Sequence, residues 1–136
     1  MWGQAGFICY CTLTPNTYPQ PMENQTVDLI FAFTVKPEHQ ERYEQVLAQQ
    51  LAITKNEPHV LSYEIFRRPD GSYCQHERYA NEAAIRLHMQ NTAVPLKEWG
   101  EVTEITHMTA LGPLSDAFTQ EFHMQASYRP YAAVAH

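Results

Sequence analysis

A chain of 136 residues is long enough for one domain with a real core and too short for two ordinary ones. Apolar residues make up 44% of it and aromatics 12%, which excludes wholesale disorder. Only 9 Lys and Arg, scattered along the chain, stand against 15 Asp and Glu for a net charge of -6, so there is no basic footprint for nucleic acid or an anionic membrane.

Residues 1–25 carry Pro15, Pro19 and Pro21 among Gln, Asn and Thr, a composition that breaks helices and sheet ladders and reads as an extended N-terminal arm. Its apolar start, Phe7-Ile8-Cys9-Tyr10, is suited to docking on the domain or on a neighbouring subunit. The arm lacks a basic region, and Phe7 to Leu13 is too short and interrupted for a secretory or membrane segment. Cys9, Cys11 and Cys74 are too few for a disulfide framework. A soluble, cytoplasmic protein is the expectation. Cys9-Tyr10-Cys11 is half of a zinc site at best, and no second pair completes it.

From Val27 the chain alternates. Val27, Leu29, Phe31, Phe33 and Val35 share one side of a strand, Asp28, Ile30, Ala32 and Thr34 the other. Lys36-Pro37-Glu38 starts a helix, with Pro suited to the first turn and the acid to the dipole. Tyr43, Val46, Leu47, Gln50, Leu51 and Thr54 recur at helical spacing, and Pro58 is expected to end the helix. Val60 to Arg68 and Tyr73 to Ala80 flank Pro69-Asp70-Gly71 and read as a hairpin. A three-residue loop with Gly71 left-handed sets Arg68 against Ser72, Glu64 opposite His76 and Tyr63 opposite Glu77. A two-residue loop would oppose Glu64 to Glu77, a costly like-charge pair, so the first register is preferred.

Asn81 is a helix cap for Glu82 to Gln90. Pro95-Leu96-Lys97-Glu98 leads to Trp99 in an expected loop. Val102 to Leu111 alternates as a fourth strand, with Val102, Glu104, Thr106, Met108 and Ala110 against Thr103, Ile105, His107, Thr109 and Leu111. After Gly112-Pro113, Leu114, Ala117, Phe118 and Phe122 have weak helical periodicity, and Tyr128 to His136 reads as a tail. The chain thus divides into an arm (1–25), a domain (26–112) and a C-terminal helix and tail (113–136). Strand, helix, strand, strand, helix, strand is the order of an α+β, ferredoxin-like split β-α-β sandwich with a four-stranded antiparallel sheet. Its helix-free face carries Ile30, Ala32 and Phe66, and a second copy of the chain is the economical cover.

Thr54-x-x-Glu57-Pro58-x-x-x-x-Tyr63, Glu77-Arg78-Tyr79 and Ala84-x-x-x-His88 together resemble the antibiotic biosynthesis monooxygenase family. The resemblance covers about residues 26–111. It departs at His59, where the family usually has Gly, and at Tyr79, where many members carry Trp. The resemblance implies a dimeric α+β barrel. It also implies an oxygenase without flavin, haem or metal, in which an electron-rich phenol or enol is deprotonated and its anion passes an electron to oxygen. No cofactor is expected, and no Gly-rich dinucleotide loop or compact metal-ligand set is present in the sequence. The expected partners are a homodimeric copy, a small aromatic or polyketide-like substrate of secondary metabolism, and dioxygen.

His88 is the candidate base, suited by its ordinary pKa of about 6.5 to a phenolic proton; the competing reading is a helix histidine satisfied structurally. Tyr63 is the candidate hydrogen-bond donor, with a pocket-wall or core aromatic as its alternative, and Glu77 a third catalytic candidate that suits orienting a neighbour or pairing with Arg78 better than acting as base. Tyr79, Trp99, Phe31, Phe33, His76 and His107 are the candidate substrate-binding residues, each with core packing as its alternative. His39, His59, His123 and His136 read as solvated. Two further functions compete: a polyketide cyclase, dehydratase or isomerase using the same acid–base groups without oxygen, and a non-enzymatic dimeric binding module.

Overall fold

A computed structural model describes residues 25–124, 127, 128, 132 and 134. The expected arm, Gln25 excepted, lies outside the described residues, as do Cys9, Cys11 and most of the tail. In chain order the elements are β1 (Val27–Val35), a 3-10 turn (Pro37–His39), α1 (Gln40–Thr54), β2 (Val60–Arg67), β3 (Tyr73–Tyr79), α2 (Glu82–Asn91), α3 (Ala93–Val102), β4 (Thr103–Leu111), α4 (Asp116–Glu121) and β5 (Ser127–Tyr128). The sheet runs β2-β3-β1-β4-β5, antiparallel except for the short parallel β5. Its first four strands give the ferredoxin-like α+β sandwich. No helix among the described residues is long and apolar enough to cross a membrane.

The hairpin takes the three-residue register. Arg68 N–H donates to Ser72 O at 2.7 Å, and Gly71 N–H donates to Arg68 O at 2.9 Å with Gly71 at φ 86°, a conformation that costs glycine no Cβ clash. Asp70 Oδ1 holds the turn by accepting from Ser72 N–H at 2.9 Å and Ser72 Oγ at 2.6 Å. Tyr63 therefore pairs with Glu77 and Glu64 with His76. Because β3 alternates, Tyr73, Gln75, Glu77 and Tyr79 face the helices and His76 and Arg78 the open side.

Helix α1 ends at Thr54, the last residue of the expected stripe, with Thr54 Oγ1 and Asn56 Nδ2 donating to the carbonyls of Gln50 and Ala52 in its last turn. Two local expectations are corrected. The segment around Trp99 is a helix, α3, rather than a loop: Pro95 is its third residue, where a backbone N–H has no intrahelical partner to lose. In β4 the register shifts opposite Ala32 and Phe33, so Thr106 is extra. Met108 and Ala110 then share the helix-facing side with Ile105, while His107 sits beside Ala32 on the open face.

Two clusters form the core. Val27, Leu29, Tyr79, Ile85, Leu114 and Phe118 pack beneath α2 and α4, and Phe33, Tyr43, Val46, Tyr73, Trp99 and Val102 beneath α1 and α3. Phe31 packs against both. Gly112 joins β4 to the α4 segment at φ 121°, so close to β1 that a Cβ there would meet Thr26 O at 2.3 Å. Only glycine fits that approach.

Candidate active site

Along the seam between the clusters runs a cavity of about 170 Å³. Its walls are mostly apolar. The sheet supplies Leu29, Phe31, Ile105 and Met108, helices α2 and α3 supply Ile85, Met89, Leu96 and Trp99, and the α4 segment supplies Phe118, Phe122 and Met124. The polar lining is Gln50, Tyr63, Gln75, Glu77, Tyr79 and His88.

Helix α2 places His88. Asn81 caps it by accepting from Ala84 N–H at 2.9 Å, Ala84 and Ile85 pack against the sheet, and His88 follows Ala84 by one turn onto the same side. The histidine is only 6% exposed. Its Nδ1 lies 2.6 Å from Glu57 Oε2, in the turn between α1 and β2. Glu57 is itself buried, and its Oε1 accepts from Asn91 Nδ2 at 2.7 Å. A buried carboxylate beside Nδ1 puts the proton on that nitrogen and leaves Nε2 as an acceptor. Among the described residues Nε2 has no hydrogen-bond partner. The rings of Tyr63 and Tyr79 flank the imidazole, with centroids 5.7 and 5.5 Å away.

A second network rises from the helix-facing side of β3. Tyr79 donates its hydroxyl to Glu77 Oε2 at 2.6 Å, and Gln75 Nε2 donates both to Tyr63 Oη at 2.9 Å and to Glu77 Oε1. Burial pushes the Glu77 carboxyl above the ordinary carboxylate range, against the opposing pull of these bonds. Burial, with the neighbouring Glu77 charge, also pushes the phenols of Tyr63 and Tyr79 well above 10. Both tyrosines are therefore hydrogen-bond donors rather than bases at neutral pH. Tyr63 Oη already accepts from Gln75, and its own hydrogen has no acceptor among the described residues.

Of the sequence-level candidates, His88, Tyr63, Glu77, Tyr79, Trp99 and Phe31 converge on this cavity. Phe33 does not line it: the ring is 0% exposed, stacked on Tyr73 and edge-on to Trp99 at 5.2 Å each. His76 and His107 lie on the opposite face. His76 Nε2 is 2.6 Å from Asp28 Oδ1, to which Arg78 Nε also donates at 2.9 Å, so Arg78 pairs with Asp28 rather than with Glu77. His107 Nε2 is 2.8 Å from Thr109 Oγ1. His59, expected in solvent, is half-buried with Nε2 3.4 Å from Glu57 Oε1. Sequence reasoning gave no role to Glu57, Asn91, Gln50 or Gln75. A signal existed for two of them: Gln50 interrupts the apolar stripe of α1, and Gln75 has the parity of Glu77 and Tyr79. No three His, Cys, Asp or Glu side chains converge as a metal site among the described residues.

Fold and cavity define a ferredoxin-like α+β protein with a buried imidazole–carboxylate pair facing an aromatic pocket. Residues 26–95 match the model of the antibiotic biosynthesis monooxygenase family, and the chain belongs to that family. No curated protein sequence matches it significantly. Among solved structures it is similar to MupZ from Pseudomonas fluorescens, with 19% identity, a TM-score of 0.72 and coverage of 88% of this chain and 94% of that one. It is also similar to Rv0793 from Mycobacterium tuberculosis, at 24% identity and TM-score 0.56, covering 68% of this chain and 98% of that one. A third is SnoaB, a cofactor-independent oxygenase from Streptomyces nogalater, at 16% identity and TM-score 0.54, covering 67% and 95%. At these identities the likeness is one of fold.

Proposed function

We propose that the protein is a cofactor-independent monooxygenase acting on an electron-rich phenol, anthrone or quinol of polyketide type. One observation carries the reading: His88, its Nδ1 held by buried Glu57, turns an acceptor nitrogen toward an apolar cavity walled by Tyr63 and Tyr79. His88 Nε2 takes the acidic proton, and the Tyr63 hydroxyl donates to the resulting oxyanion among mostly apolar walls. Glu77 holds Tyr79 and Gln75 in place. The substrate anion passes one electron to dioxygen, and the radical and superoxide recombine at carbon. The resulting peroxide anion takes the proton held on His88 to become a hydroperoxide, and loss of water from it leaves a carbonyl. A CH₂ becomes C=O, with one oxygen atom retained and the other released as water.

Membership of the family and the exposed Phe66 (53%), on a sheet face shared with Ile30 and Ala32, support a homodimer in which the open faces pack together. A stable monomer near 15.7 kDa by light scattering would contradict it. The reaction is tested with the purified protein, anthrone and ¹⁸O₂. The expected result is one O₂ consumed per product and one labelled oxygen incorporated. Turnover of a polyketone without oxygen uptake would instead identify a cyclase, dehydratase or isomerase.

A further inference from the structure

A second histidine shares the carboxylate that holds His88. His59 lies in the turn between α1 and β2, fixed there by two backbone bonds: Glu57 O accepts from Val60 N–H at 3.1 Å, and His59 O accepts from Ala80 N–H at 3.0 Å. Its Nε2 is buried, has no hydrogen-bond partner among the described residues and lies 3.4 Å from Glu57 Oε1. Facing a buried carboxylate, that nitrogen carries its proton, because a bare lone pair there would meet another. Glu57 already has a donor on each oxygen, His88 Nδ1 at 2.6 Å and Asn91 Nδ2 at 2.7 Å. What His59 adds is therefore charge rather than a needed bond.

The two rings differ in access. The side chain of His59 is 20% exposed and that of His88 only 7%, so His59 exchanges protons with solvent while Glu57 joins it to a base that faces the cavity. The other ionisable groups around His88 are Tyr63 on β2 and Tyr79 and Glu77 on β3. The cavity walls from α1, α3 and α4 present no ionisable side chain. Among the described residues, only His59 and His88 bring a nitrogen that can become cationic within 4 Å of Glu57. Resting on the reading that His88 is the base, we infer that His59 is a positioning residue that tunes it through Glu57. Once protonated, His59 takes a share of the Glu57 charge and keeps His88 Nε2 free to accept the substrate proton. The acidic edge of the working range thus lies lower than Glu57 and His88 alone would set it.

The test is an NMR titration of the imidazole Cε1–H resonances of the full chain without substrate, each histidine assigned by the signal lost on its own substitution. In His59→Gln, which keeps an amide donor but cannot charge, the His88 midpoint should rise by about 0.5–1.5 pH units, the effect of one unit charge across a carboxylate. In His59→Arg, a permanent cation, it should lie at or below the native value. Coupling is reciprocal, so His88→Asn should raise the His59 midpoint by a similar amount, and this decides should either His59 variant fail to fold. A His88 midpoint unchanged in His59→Gln, a rise in both His59 variants, or a His59 midpoint indifferent to His88→Asn would each overturn the inference. The titration needs no turnover, so the oxygenase reading is judged separately. Oxygen uptake whose acid limb ignores a shifted His88 midpoint sinks His88 as the base and leaves the coupling standing.

Discussion

Replacing His88 by Asn and by Ala separates its chemistry from its structural share. Asparagine places an amide nitrogen near the position of Nδ1, so it preserves the donor to Glu57 Oε2, which the native ring approaches to 2.6 Å, and removes Nε2. Without its general base, turnover should fall about 10²- to 10⁴-fold, while stability changes by roughly 1 kcal/mol or less. Alanine removes both nitrogens. It leaves Glu57, itself buried, with one oxygen unpartnered and opens a hole between Tyr63 and Tyr79, together costing roughly 2–4 kcal/mol. At about 3–4 °C per kcal/mol for a domain of this size, the melting temperature should drop by roughly 6–16 °C. Oxygen uptake and a thermal melt on the two variants read both numbers. Full turnover by His88→Asn would refute the assignment of the base, and equal melting temperatures for the two variants would refute the structural coupling to Glu57.

Three further outcomes are expected. Because burial raises the Glu77 carboxyl above its ordinary 4.5, the folded state holds that proton more tightly than the unfolded chain, and stability falls as pH rises from about 4.5 through the folded value. Glu77→Gln should therefore melt higher than the native protein at pH 7 and gain less at pH 4; a gain independent of pH would contradict this. Arg86 lies over the rings of Phe118 and Phe122 at 5.0 and 5.8 Å and pairs with Glu121 at 2.9 Å, so Arg86→Ala should loosen the α4 wall. It should raise KM about two- to fivefold with kcat nearly unchanged, and steady-state kinetics showing an unaltered KM would refute the role. Gly112→Ala forces a Cβ against Thr26 O at φ 121° and should cost about 1–3 kcal/mol in chemical denaturation, an effect absent if the backbone there can shift freely.

Much of the fold was legible because its signals are local. The period-two alternation of β1 and the Pro69-Asp70-Gly71 turn each depend on neighbours in sequence, and the hairpin register followed from that turn together with the like-charge Glu64–Glu77 pair that the shorter loop would have made. What was missed depends on position within an element or on distant partners. Pro95 reads as a breaker until it is known to be the third residue of α3, and a single extra residue at Thr106 moves His107 to the other face of the sheet. Glu57 belonged to the recognised motif, yet its bond to His88 spans 31 residues and exists only after α2 has packed over the turn. The site did leave one general trace. Gln50, Gln75, Glu77 and His88 all occupy core-facing positions where hydrophobic patterning calls for an apolar residue, and burying such groups costs free energy unless each finds a partner. His88 and Glu77 find theirs within the protein. The amide oxygens of Gln50 and Gln75 do not among the described residues, so the break in hydrophobic patterning marks where the site lies without naming what each polar group bonds.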